Sequence, residues 1–117
     1  MSEIDKTLAA IEAKRARDET ARRKRRDAAC AFLKAFYEKD VKRSKKLKEH
    51  GIVAAFEQAR LVLQRPAEGQ FSDGLMIVVG EQGEIDAGGK SFGRFAPKDE
   101  AAKKKELIDE IILHFSL

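Results

Sequence analysis

From Ser2 to about His50 the chain contains no proline and no glycine, and most of its residues are good helix formers. Read at about 100° per residue, Ile4, Leu8 and Ile11 share one stripe. The same stripe then runs through Arg15, Asp18 and Arg22, and turns apolar again at Ala29, Phe32, Leu33 and Phe36, with Tyr37 beside them. The pattern predicts a long helix, capped at its start by Ser2 or Asp5. It should stop where Lys45, Lys46 and Lys48 precede His50 and Gly51, cations at the negative end of the dipole followed by a glycine cap. A helix whose packing face is charged in its middle cannot lie against a core along its whole length. Either its first part projects as an arm, or it frays near Asp27 and is partly disordered.

Beyond Gly51 the pattern changes. Ile52, Val53, Phe56 and Ala59 have helical spacing and predict a short helix, while Leu61 to Arg65, ahead of Pro66, reads as a strand. Seven of the eight glycines lie between Gly69 and Gly93 and divide the apolar run Leu75–Val79 from Glu84–Ala87 and from Lys90–Phe95. That is the signature of hairpins with short loops. Pro97, Asp99 and Glu100 open a last helix whose Ala101, Leu107, Ile108, Ile111, Ile112 and Phe115 form an apolar face.

The fold class expected is α+β: a long N-terminal helix with a basic arm, a short helix, an antiparallel β-meander of three strands or four, and a C-terminal helix packed on the sheet. Residues 1–26 form the arm, helical or partly disordered, and residues 27–117 a single domain of ordinary size.

Charge sharpens the picture of the arm. Residues 14–48 hold 15 Lys and Arg against 5 Asp and Glu, whereas the rest of the chain holds 9 against 15. The molecule is thus an electrostatic dipole that draws polyanions to one end. A single cysteine, Cys30, excludes an internal disulfide and a multi-cysteine metal cluster, and fits a reducing compartment. The longest apolar run, Leu75–Val79, is far shorter than the roughly 20 residues of a membrane span. Cytoplasmic location is the expectation, with no membrane partner.

Candidate chemistry is sparse. Gly89-Lys90-Ser91 resembles the end of a phosphate-binding loop, but position 84 is Glu where that loop needs glycine, and a strand rather than a helix follows. The aromatic strand Lys90–Phe95 lacks the glycine and the aromatic, at Ser91 and Arg94, of a base-stacking RNA-recognition strand. His50 and His114 stand apart in sequence, and Cys30 sits among alanines without a neighbouring base. Asp73, Glu81, Glu84 and Asp86 belong to turns. No catalytic residue, metal ligand or cofactor site is expected.

What remains is the basic arm. Lys14, Arg15, Arg17, Arg22, Arg23, Lys24, Arg25 and Arg26 are candidate phosphate contacts, with Arg22 to Arg26 expected to carry most of the binding. The function expected is that of a small non-enzymatic protein whose basic helix meets nucleic acid without strong sequence preference. The alternative is an assembly component, in which Ile4, Leu8 and Ile11 pair with another chain or the arginines meet an acidic protein surface.

Overall fold

The computed structural model describes residues 2–66 and 73–117. Helix α1 (Glu3–Phe36) is continuous through 34 residues, and its first turn is capped by Ser2, whose hydroxyl accepts from the Asp5 amide at 3.1 Å. It does not run on to His50, as the sequence pattern suggests. At Tyr37–Val41 the helix widens into a π-turn, marked by the Lys42 amide donating to the Tyr37 carbonyl at 2.7 Å. The core stripe explains the extra residue: one regular turn beyond Phe36 would bring Asp40 into the core, whereas the wider turn delivers Val41, which is buried. Helix α2 (Lys45–Glu49) then starts afresh, with Ser44 Oγ accepting from the Leu47 amide at 3.2 Å. Gly51, at φ +75°, turns the chain away.

Five strands follow as one antiparallel meander: β1 (Val53–Glu57), β2 (Arg60–Arg65), β3 (Asp73–Val79), β4 (Glu84–Ala87) and β5 (Lys90–Arg94). The α+β class holds, with one more strand than the upper expectation. The added strand is β1, where a short helix was expected over Ile52–Ala59. Ile52, Ala54 and Phe56 turn inward while Val53, Ala55 and Glu57 face solvent, a period of two that overrides the helical spacing once β2 is there to pair with. The connection to β2 is Gln58-Ala59, with Gln58 in the left-handed region at φ +57°. No glycine marks this turn, so the hairpin carries none of the usual sequence punctuation.

After a single turn at Pro97–Asp99, helix α3 (Glu100–Phe115) returns across the sheet. α1 packs over β2, β3 and β4, and α3 over β3. Ala29, Phe32, Leu33 and Phe36 of α1 and Leu107, Ile111 and Phe115 of α3 meet Leu61, Leu63, Leu75, Ile77 and Ile85 of the sheet. The α3 face is wider than its contact: Ala101, Ile108 and Ile112, expected on the sheet, lie exposed. The α3 lysines reach to other elements. Lys103 donates to the Phe92 carbonyl, and Lys104 Nζ lies 3.0 Å from Asp40 Oδ2.

Candidate nucleic-acid interface

The basic run Lys14–Arg26 lies where α1 leaves the body. Residues 2–18 are all exposed, and burial begins in earnest only at Ala29. The molecule measures 70 × 33 × 20 Å, with a radius of gyration of 18.9 Å against about 13 Å for a compact chain of this length. The arm therefore projects as helix, about 1.5 Å per residue.

The root of the arm is tied to the β3–β4 turn. Arg22 Nη1 lies 3.5 Å from Glu81, Arg25 Nη2 donates to Gln82 Oε1 at 3.1 Å, and Gly83 backs directly onto the Arg25 carbonyl. Within the helix, Arg22 and Arg23 share Glu19, at 2.5 and 3.2 Å. Glu19 thus serves Arg22 at i+3 and Arg23 at i+4. These arginines hold the Glu19 carboxyl below its ordinary value, chiefly through the Arg22 hydrogen bond, and Glu19 in turn raises the Arg22 guanidinium.

The eight candidate cations therefore divide. Arg22, Arg23 and Arg25 are engaged by Glu19 and by the β3–β4 turn. Lys14, Arg15, Arg17, Lys24 and Arg26 make no ion pair among the described residues. Their placement around the helix gives the arm its shape. Arg22 and Arg25 mark the side facing the body. On the opposite side Ala9, Ala13, Ala16 and Thr20 form an exposed face of small residues. Arg17 and Lys24 border that face on one edge, whereas Arg15 and Arg26 project within about 40° of Arg22, on the opposite side of the helix from Arg17 and Lys24, at 3.6 residues per turn. A shallow groove of about 370 Å³ follows Ala16, Arg17, Thr20, Ala21 and Lys24. The cleft at the root, by contrast, mixes Arg15, Arg22 and Arg25 with Asp18 and Glu19, and so disfavours anions.

No family model, curated protein or solved structure matches this chain. Its chemistry must be read from the geometry.

The other candidates from the sequence fall in separate places. Ile4, Leu8 and Ile11 lie along the tip of the arm, 78%, 48% and 41% exposed. Cys30 is half-buried beside Arg26 and Asp27, and burial pushes its thiol up, away from the nucleophilic thiolate. His50 is exposed at the end of α2. His114 Nε2 lies 2.9 Å from Asp73, whose other oxygen pairs with Arg65 at 3.2 Å. That cluster ties the end of α3 to the sheet, because Arg65 also donates to the Phe115 carbonyl. Among the described residues no group of three or more His, Cys, Asp and Glu could hold a metal ion, and no helix is long and apolar enough to cross a membrane.

Sequence reasoning missed two things here. One is the part of Glu81, Gln82 and Gly83 in fixing the arm, which depends on residues more than fifty positions apart. The other is the small-residue face, visible in the spacing of Ala9, Ala13, Ala16 and Thr20 but hidden when only large apolar residues are projected.

Proposed function

We propose that the protein is a non-enzymatic binding module whose projecting helix lays its outward face on nucleic-acid phosphates with little sequence preference. The observation that carries this reading is an exposed small-residue face bordered by the unpaired cations Arg17 and Lys24, with Lys14, Arg15 and Arg26 also unpaired along the same helix, among the described residues. A helix entering a duplex groove has a phosphate strand on either side, and a groove about 12 Å wide admits it. Small residues at the front allow close approach, Arg17 and Lys24 at their edge reach one strand, and Arg15 and Arg26, on the opposite side of the helix, turn toward the other. No side chain on the front face is shaped to read base edges, so affinity comes from charge and falls with salt. Arg22 and Arg25, tied to the body, position the arm rather than touch phosphate.

Titrating a labelled duplex and a labelled single strand at several salt concentrations tests the reading. Duplex binding should weaken linearly on logarithmic axes. Replacing Arg15, Arg17, Lys24 and Arg26 by Gln should flatten the slope by about 0.9 for each phosphate contact removed. Absence of binding at low salt, or an affinity indifferent to the four substitutions, overturns it.

A second reading, an assembly component, is favoured by the tip of the arm. Three large aliphatic residues at i, i+4 and i+7 spacing have no reason to sit in water unless they are covered in the working state.

A further inference from the structure

The apolar tip of the arm has a counterpart on the body. Between the π-turn, α2 and α3 lies a cleft of about 450 Å³ whose floor is Phe36, Val41, Leu47 and Ile111 and whose outer wall is Ile108 and Ile112. Ile108 and Ile112 are 38% and 44% exposed, large aliphatic side chains on the side of α3 that the sheet leaves uncovered. We infer that this cleft receives Ile4, Leu8 and Ile11 of a second copy of the chain, so that two copies exchange arms. This inference rests on the assembly reading of the tip and is independent of the nucleic-acid reading.

Charge favours this occupant. Residues 2–13 carry Glu3, Asp5 and Glu12 against Lys6 alone, while the cleft is lined by Lys46 and by Asp40, which Lys104 pairs, and adjoins a segment, residues 42–49, that carries Lys42, Arg43, Lys45, Lys46 and Lys48 against Glu49 alone. The acidic tip of an otherwise basic arm thus meets the basic border of an apolar cleft. Geometry requires a different molecule. The cleft begins at Phe36, the far end of the helix that carries the tip. Leu8 and Phe36 are 28 residues apart, about 42 Å along a continuous helix, so the arm cannot fold back onto its own body.

The same separation suits a two-fold arrangement. When the α1 helices of two copies run antiparallel, each tip lies at the other's cleft at once, with the symmetry axis close to Arg22. The apolar tip residues point to the body side of α1, and Ala9, Ala13, Ala16 and Thr20 point the opposite way. Exchange therefore leaves the cation-edged face open on both helices.

Light scattering and sedimentation of the full chain test the arrangement, with circular dichroism as the check on folding. The wild type is expected to be a dimer, and Leu8→Glu and Ile112→Glu, both on exposed positions, are each expected to give folded monomers. Lys46→Glu should weaken association about tenfold, and adding Glu3→Lys and Asp5→Lys should recover most of the loss. A disulfide should form between copies of Leu8→Cys/Ile112→Cys on a Cys30→Ala background. A wild type that is monomeric at its highest soluble concentration overturns both the exchange and self-assembly. A dimer that Leu8→Glu abolishes but Ile112→Glu and Lys46→Glu leave intact overturns the cleft as the seat while keeping assembly through the arms.

Discussion

Two halves of one helix live in different worlds. Residues 3–21 of α1 and residues 26–36 share a backbone conformation without a break, yet the first half is bathed in solvent while Ala29, Phe32, Leu33 and Phe36 are almost wholly buried. The inner half is helical because the sheet fixes one face of it. The outer half is helical because alanines, glutamates, lysines and arginines propagate a helix well once a nucleus exists, and the inner half is that nucleus. Nucleation is the costly step, and the body has already carried it. A separate peptide of the arm's length would be marginal in water; attached to the body, it becomes a lever.

The sharpest way to break this comparison is to substitute each half in turn. Leu33 has no exposed surface and packs against the sheet, so Leu33→Ala should lower global stability by about 3–5 kcal/mol. Ala13→Gly costs about 1 kcal/mol of local helix formation, yet should leave the urea midpoint of the body unchanged while reducing far-ultraviolet helicity. If the urea midpoint of Ala13→Gly falls along with its helicity, the two halves unfold as one unit and the nucleus-and-lever picture fails.

The division was partly legible in the residues. The charged middle of the stripe, Arg15, Asp18 and Arg22, shows that this helix cannot lie on a core throughout, and the hairpins after Leu75 follow from the glycines. Three features were not legible, each for its own reason. The π-turn at Tyr37–Val41 answers a packing demand, Val41 inward and Asp40 outward, that only a core already in place can express. Strand β1 depends on its partner: Ile52–Ala59 satisfies helical spacing and alternation alike, and the antiparallel register with Arg60–Gln64 decides. The division of the eight cations depends on the β3–β4 turn, which meets the arm across more than fifty residues of chain. Composition reveals how much charge there is; only the fold reveals which charges are free.

The seam between the halves offers an intermediate effect. Gly83 has φ +76°, and a Cβ built there would stand 2.8 Å from the Arg25 carbonyl oxygen. Gly89 has a similar φ, +84°, with open space around it. Gly89→Ala thus carries backbone strain alone, about 1 kcal/mol, whereas Gly83→Ala adds a clash with the arm's root and should cost about 2–3 kcal/mol. Gly83→Ala should also loosen the Arg25–Gln82 and Arg22–Glu81 contacts, seen as faster amide exchange over residues 20–28. Equal losses for the two variants would show that the turn does not hold the arm.

The smallest effect is the most local. Glu19 lies in the outer half, and the Arg22 guanidinium, with Arg23 beside it, holds its carboxyl below the ordinary carboxylate value. A depressed folded value means that the support from ionised Glu19 is complete above the unfolded value and is lost as pH falls through the folded one. Helicity around residues 16–23 should therefore stay flat from neutral pH down to the usual carboxylate range and decline only below it. In Glu19→Gln the guanidinium keeps Glu81 but loses the carboxylate within its own helix at every pH, so local helicity should start slightly lower and lack that acid limb. The pair lies at the surface and is solvent-screened, so the change belongs in residue-resolved carbon chemical shifts at Ala16 and Thr20, not in the global melting curve. An acid limb of the same size in both proteins would assign the decline to other carboxylates and leave Glu19 a bystander. Its absence in Glu19→Gln alone would show that the outer half, beyond the reach of the core, is tuned by charge where the inner half is fixed by packing.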